Sequence, residues 1–207
     1  MSKYVDLSND IFDDMPVYPN DRKVRLYQDK FLDKDKYNNH ILETGMHAGT
    51  HIDGPMHLTD CKSYIGELSL DRFTGRGSLL DVRGEKIITY KEKYEDKVRE
   101  GDIVLLYTGH SEKYGSEEYY TEQPVIDERL AEFLITKKIK MIGMDLPSPD
   151  QYPFDIHKKF FRKGILIIEN LRNLSELLYV EEFELLAFPL KIKADSSLCR
   201  VVARVLD

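Results

Sequence analysis

This 207-residue sequence has no basic cluster, few cysteines and no long apolar run, and each shortage argues against a class of protein. No apolar run approaches the roughly 20 residues that span a bilayer, so we expect no membrane domain. The two cysteines, Cys61 and Cys199, are too few for a disulfide framework and lack the paired spacing of a structural zinc knuckle. The first residues lack the basic and then apolar layout of a secretory signal, which favours a cytoplasmic protein.

The charge balance argues against a nucleic-acid partner. The formal net charge is −7 and no basic cluster is visible, whereas nucleic-acid binding requires a positively charged surface. We therefore expect the partner to be a small molecule. With 42% hydrophobic and 32% charged residues, the composition is typical of a globular protein, and the length suits a single domain over residues 1–207.

The most unusual stretch is residues 47–57, which contain three of the six histidines and an aspartate. Imidazole and carboxylate groups are costly to bury unless something satisfies them, and a divalent metal ion commonly does so. His47, His51, Asp53 and His57 therefore predict a metal site. On a helix, at about 100° per residue, Asp53 and His57 would point away from the other two side chains, and the stretch is rich in poor helix formers.

An extended chain suits this stretch better, because all four side chains have the same parity and leave one face of a strand. A straight run would nevertheless separate His47 from His57 by ~33 Å, far beyond the ~2 Å of a metal–ligand bond. The chain must therefore bend. Gly49 and the pair Gly54 and Pro55 are placed to bend it, since glycine tolerates positive φ and proline fixes a turn.

The rest of the pattern predicts an α/β fold with a mixed sheet, because strands outnumber helices and do not alternate with them regularly. Helices are predicted from Thr89 towards Gly101, from Asp127, and from Asp155 to Gly164. The polar residues 29–40 predict an exposed loop. A C-terminal hairpin is predicted from 183–193 and 199–206, turning around residues 195–197. Strands are predicted at 3–8, 23–27, 78–82, 102–107, 140–144 and 165–168.

Residues 47–57 match every fixed position of the HxGTHxDxPxH signature, and in this the chain resembles the cyclase family, which includes bacterial kynurenine formamidases and isatin hydrolases. The resemblance continues through Asp145, Pro147 and Ser148, then His157 and Glu169, and ends in residues 183–193, so that it covers nearly the whole chain. It implies a swivelling β/β/α fold with a barrel-like core, a few flanking helices and a homo-oligomer, dimeric or larger.

By that resemblance, His47, His51 and Asp53 would bind one metal ion, Asp53, His157 and Glu169 would bind a second, and His57 would act as acid and base. A catalytic zinc ion typically keeps three protein ligands and an open position, so five candidate ligands are too many for one ion. Two ions ~3.5–4 Å apart would use all five. We expect two zinc ions per subunit, with manganese as the alternative metal. The alternative role for His57 is that of a further metal ligand.

The resulting hypothesis is a metal-dependent hydrolase of a C–N amide bond, an arylformamidase that converts N-formylkynurenine to kynurenine and formate. The alternatives are hydrolysis of a cyclic amide such as isatin, a metal-dependent cyclase or dehydratase, and a non-catalytic protein that binds a metal or metabolite. Tyr18 stands where formamidases of this family tend to carry a tryptophan that packs on the substrate, so we predict that it binds the substrate. Residues 114–126 depart from the family's Pro-Gly-Leu-Ser pattern, which leaves the specificity of the pocket open.

Four other polar residues have weaker signals. Asp145 and Ser148 lie in a proline-rich segment that either supports the ligands or simply forms a turn. His40 and His110 are predicted to lie outside the site.

Overall fold

Strands form most of the regular structure in the computed structural model, which describes residues 3–206. The helices in that range are α1 (Leu32–Asp35), α2 (Glu117–Thr121), α3 (Glu128–Thr136) and α4 (Asp155–Arg162). The strands are β1 (Tyr4–Asp6), β2 (Arg25–Lys30), β3 (Asn39–Glu43), β4 (His51–Asp53), β5 (Thr74–Asp81), β6 (Ile87–Ile88), β7 (Ile103–Tyr107), β8 (Val125–Ile126), β9 (Met141–Met144), β10 (Leu166–Glu169), β11 (Phe183–Leu186), β12 (Ser196–Leu198) and β13 (Val202–Val205).

Nine of these strands form one mixed sheet in the order β1-β13-β11-β5-β7-β9-β10-β4-β12. The four central strands, β5, β7, β9 and β10, run parallel, and the flanking strands pair antiparallel. The sheet curls into a half-barrel. The predicted α/β class with a mixed sheet and few flanking helices is therefore confirmed. No helix among residues 3–206 combines the length and the apolarity required to cross a membrane.

Hydrophobic layers cover both faces of the central strands, which explains why these strands are apolar at nearly every position. On one face, Leu106 and Ile142 pack with Leu130 of α3 and Phe160 of α4. On the other face, Leu105, Ile168 and Ile52 belong to a second cluster with residues of β1, β11 and β13. The alternation along each strand divides the side chains between the two layers, so the sheet forms a rigid support for the loops at its edges.

The register between β10 and β4 brings the histidine motif to a distant carboxylate. His51 pairs directly with Glu169, and Asp53 pairs with Ile167. Side chains at paired positions lie on the same face of a sheet, and so do residues two apart on one strand. His51, Asp53 and Glu169 therefore share one face, although Glu169 lies more than a hundred residues along the chain.

The predicted helix from Thr89 is wrong. The structure has only a short 3-10 turn at Glu92–Tyr94 in that segment, and no side chain caps it. Hydrogen bonds to other parts of the fold replace those that a helix would need, since the Lys97 carbonyl accepts from Ser78 and the Gly101 amide donates to the Lys137 carbonyl. Tyr94 and Val98 are buried nonetheless, so their spacing indicated burial rather than a helix.

Two other expectations need correction. The predicted C-terminal hairpin is formed by β11 and β13, but residues 196–198 are not its turn, because they form β12 at the sheet edge beside β4. The segment 29–40 is exposed, yet it holds α1 and parts of a β2–β3 hairpin rather than a plain loop. In contrast, Asp127 caps α3 as predicted, with its side chain accepting from the Leu130 amide.

Candidate metal centre

The histidine motif is a short strand between two bends. Gly49 has φ of 60°, the left-handed region that glycine adopts without strain, and the chain then enters β4. Gly54 has φ of −97°, so positive φ is not the reason for glycine at that position. Instead, a Cβ atom there would lie 2.7 Å from the Asp195 carbonyl oxygen, which the Gly54 amide contacts. A 3-10 turn over Pro55–His57 follows and returns His57 towards the strand.

Potential metal-ligand atoms converge around Asp53. Among residues 3–206, two sets of three side chains bring ligand atoms within 4.8 Å of one another. One set is His47, Asp53 and His57, and the other is His51, Asp53 and Glu169. Asp53 belongs to both sets, which agrees with a carboxylate shared between two ions. The grouping differs from the division that the resemblance implies. His57 takes the place of His51 in the first set, and His51 takes the place of His157 in the second.

Two buried atoms at this point lack hydrogen bonds. His51 Nε2 lies 3.3 Å from Asp53 Oδ1 and 3.4 Å from Glu169 Oε2. These distances are short, but the directions do not satisfy hydrogen-bond geometry, so His51 Nε2 and Asp53 Oδ1 both remain without a partner. The opposite nitrogen of His51, Nδ1, donates to the Gly49 carbonyl at 2.8 Å, so Nε2 of the neutral ring carries a lone pair. An imidazole lone pair beside carboxylate oxygens suits a divalent metal ion.

The charges of this cluster are strongly coupled. Burial disfavours the charged form of His51, yet the carboxylates of Asp53 and Glu169 raise its pKa. Burial would also raise the pKa of Asp53, but His51 and His47 lower it well below its usual range. Burial likewise opposes the charge on His47, and the neighbouring carboxylates of Asp53 and Asp195 raise its pKa to about 9. A cation is therefore strongly favoured between these carboxylates, whether it is a proton or a metal ion.

His157 reaches the site from α4 and contacts Glu169. Its Nε2 lies 3.2 Å from Glu169 Oε1, and its Nδ1 donates to the Asp150 carboxylate. Burial disfavours the charge on His157, but these two carboxylates raise its pKa to about 10. The other oxygen of Asp150 accepts from the Ile156 amide at 2.7 Å. Asp150 therefore bonds to the first turn of α4 and orients His157. Asp155, which was predicted to be the cap, is the first residue of the helix, and the N-cap position is Phe154.

His47 and His57 are linked by a carboxylate on the neighbouring strand. Asp195 Oδ2 accepts from His47 Nε2 at 3.0 Å and from His57 Nδ1 at 3.1 Å. The two imidazole rings lie 4.2 Å apart between centroids. Burial is the main reason that the pKa of His57 is lowered, so its ring favours the neutral form.

His47, Asp53, His57, His157 and Glu169 form the polar floor of a cavity of about 250 Å³ with aromatic walls. Tyr18 and Tyr120 meet edge to face with 5.8 Å between ring centroids, and both line the cavity together with Tyr114 and Phe154. The hydroxyl of Tyr114 donates to the Pro16 carbonyl, which ties the wall to the loop that carries Tyr18. The arrangement can hold a flat aromatic group against the polar cluster.

Comparison with known proteins identifies the family of this chain. The family model described as "Putative cyclase" matches residues 5–151. The chain belongs to this putative cyclase family. It is similar to the kynurenine formamidase of Bacillus mycoides, with 28% identity over 211 residues that cover 98% of both chains.

Solved structures in this family share the fold. A potential metal-dependent hydrolase with cyclase activity has a TM-score of 0.81 and 26% identity, and the match covers 100% of both chains. Isatin hydrolase A from Labrenzia aggregata, bound to benzyl benzoate, has a TM-score of 0.88 and 22% identity over 100% of this chain and 94% of that one. At 22% identity, the likeness to isatin hydrolase A shows a shared fold.

The predicted site residues of this family member lie together. His47, Asp53, His57, His157 and Glu169 line the cavity with Tyr18, and His51 is buried directly behind them. His40 is exposed on β3, and His110 bonds to the Tyr119 carbonyl, so both lie outside the cavity lining. Ser148 lines the cavity, whereas the buried Asp145 accepts from the Thr108 and Gly109 amides and thus fixes a neighbouring loop.

Sequence reasoning missed Asp150 and Asp195. Both touch predicted site histidines. Asp150 ends the proline-rich segment that begins at Asp145, and Asp195 lies in a segment without a motif. For Asp150, the N-cap preference gives no signal, because Asp150 lies four residues before the N-cap of α4, Phe154. For Asp195, the contact depends on β12 pairing with β4 across more than 130 residues, and no local pattern indicates it.

Proposed function

We propose that this protein is a metal-dependent hydrolase that cleaves the C–N amide bond of an aryl formamide, with N-formylkynurenine as the leading substrate. The observation that carries the proposal is a pair of buried, unpaired atoms at an aromatic cavity: Asp53 Oδ1 on its floor and His51 Nε2 directly behind it. The matches to proteins named kynurenine formamidase over 98% of the chain support the choice of substrate.

We propose that His47, His51 and Asp53 hold one ion and that Asp53, His157 and Glu169 hold a second, with zinc as the metal and manganese as the alternative. Burial supports the choice of ligands, because His51, Asp53, His157 and Glu169 are almost fully excluded from solvent. A bound divalent ion of this kind polarises a carbonyl group and makes a water molecule more acidic. The chain's own residues then have to place the substrate and move the protons.

We assign the proton transfers to His57. Its Nδ1–H donates to Asp195, which leaves Nε2 as the nitrogen that can accept a proton from the attacking water. The same atom can return the proton to the aniline nitrogen as the C–N bond breaks. An imidazole suits this two-way role near neutral pH. His57 lines the cavity and keeps partial access to it, with 30% of its side chain exposed.

The aromatic walls would orient the leaving group. Tyr18, Tyr120 and Phe154 offer ring faces and edges on which an aryl group can pack, and such contacts contribute roughly 0.5–1.5 kcal/mol each beyond area burial. The formamide carbon of a ring packed there would face the polar floor. This placement favours an aryl amide over an aliphatic one.

The test is a substrate panel with metal-reconstituted protein: N-formylkynurenine, formanilide, acetanilide and isatin. We expect the two formamides to be hydrolysed, acetanilide to be a poor substrate, and activity to disappear with a chelator and return with zinc. Preferred turnover of isatin would replace the formamidase assignment with a cyclic-amide hydrolase. Bound metal without turnover of any amide would instead identify a non-catalytic metal-binding protein.

A further inference from the structure

We propose that Asp195 is a positioning residue, whose carboxylate fixes the ring orientation and the tautomer of both His47 and His57. The inference rests on the proposed function for the roles of the two histidines. Asp195 lies on the segment that leads into β12, far along the chain from the histidine motif, and contacts the motif from the side opposite Glu169.

The carboxylate sets the tautomers because it can only accept hydrogen bonds. Asp195 Oδ2 lies 3.0 Å from His47 Nε2 and 3.1 Å from His57 Nδ1, so both of these ring nitrogens must carry hydrogen. The opposite nitrogen of His47, Nδ1, then faces Asp53 Oδ1 at 2.9 Å. In His57 the opposite nitrogen, Nε2, is left as the acceptor. When the His47 ring is neutral, this one oxygen atom directs its Nδ1 lone pair towards the ligand cluster. The same oxygen prepares the His57 ring to take a proton at Nε2.

The backbone holds Asp195 in place. Its carbonyl accepts from the Gly54 amide at 3.0 Å, and the next residue, Ser196, pairs with Asp53 in the β12–β4 ladder. The Ser196 hydroxyl also donates to Asp195 Oδ2 at 3.2 Å. The absence of a side chain at Gly54 allows this close approach. Asp195 is therefore fixed relative to the motif by main-chain bonds, as a positioning group requires.

The experiment compares Asp195→Ala and Asp195→Asn with wild type, using Asp6→Asn as a matched control that removes an aspartate charge paired with Arg200 at the surface. The first readout is the His57 tautomer in metal-free protein, measured by ¹H–¹⁵N correlation of the ring nitrogens when that ring is neutral. The second is zinc affinity, measured by competition with a chelating dye. The third is kcat and KM for formanilide at saturating zinc.

We expect the Nδ1–H tautomer of His57 in wild type and Asp6→Asn, and a shift to Nε2–H in Asp195→Ala. Zinc affinity and kcat should each fall about 10–100-fold in Asp195→Ala, which is the usual cost of losing a residue that orients a ligand, with KM little changed. Asp195→Asn keeps one acceptor oxygen and should lose less.

Unchanged tautomer and zinc affinity in Asp195→Ala would overturn the proposal, as would an equal loss in Asp6→Asn. If Asp195→Ala does not fold, Asp195→Asn decides by the same readouts. If wild type hydrolyses no amide, the proposed function fails, whereas the tautomer and zinc measurements still decide the role of Asp195.

Discussion

Replacement of Asp150 by alanine should destabilise the metal-free protein more than the loss of an ordinary helix cap. Asp150 accepts from the Ile156 amide at the start of α4 and also from Nδ1 of the buried His157. Losing a cap costs about 1 kcal/mol. A buried donor left without a partner costs about 1–3 kcal/mol more. We therefore expect the free energy of unfolding to fall by about 2–4 kcal/mol.

The assay is urea and thermal unfolding of the metal-free variants. For a protein of this length, the expected loss corresponds to a decrease in Tm of about 4–16 °C. Asp127→Ala is the matched control, because Asp127 caps α3 through the Leu130 amide but touches no histidine. That variant should lose only about 1 kcal/mol.

Zinc affinity gives a second, independent comparison of the Asp150→Ala and Asp127→Ala variants. Asp150→Ala should weaken zinc binding about 10–100-fold, because His157 loses the partner that orients its ring. Asp127→Ala should bind zinc like wild type. Equal destabilisation by the two substitutions, together with equal zinc affinity, would refute the claim that Asp150 supports the site.

Three further predictions address the site directly. His57→Ala should abolish turnover while zinc content, measured by mass spectrometry, stays unchanged, with His40→Ala as the control; loss of zinc would make His57 a ligand instead. Zinc at 1,000 times its Kd should stabilise the folded protein by about 4 kcal/mol and raise Tm by about 8–16 °C in a thermal scan, and an unchanged Tm would contradict the metal assignment. Tyr18→Ala should raise KM for N-formylkynurenine roughly 2–12-fold through the lost ring contact, and Tyr18→Trp should not. Equal KM values in wild type and both variants would show that Tyr18 does not bind the substrate.

The sequence predicts the local part of the site well because its information is local. His51 and Asp53 are two residues apart, so strand parity alone places them on one face. Gly49 and Pro55 mark the bends on either side of β4. Likewise, the cap of α3 depends on a contact between Asp127 and a residue only three positions away. Such features depend on short segments, and tertiary packing did not override them.

The segment after Thr89 shows where local information fails. The sequence there predicts a helix, but the Ser78 hydroxyl and the Lys137 carbonyl bond to the Lys97 carbonyl and the Gly101 amide, which would otherwise close its last turn. Both partners lie at least 19 residues from the groups they contact. Tertiary hydrogen bonds can therefore override a propensity that amounts to a few tenths of a kcal/mol per residue, about the scale of helix preferences.

The role of β12 explains why the motif cannot form the site by itself. β4 has only three residues, and its two neighbours carry the groups that complete the cluster: Glu169 ends β10, and Asp195 immediately precedes β12. Because side chains alternate along a strand, a shift of one residue in either pairing would turn Glu169 to the opposite face or carry Asp195 away from both histidines. The buried Ile52, which belongs to the second hydrophobic cluster, opposes such a shift, since it would have to exchange places with a polar residue of the site. Hydrophobic packing behind β4 thus fixes the geometry of the polar cluster in front of it.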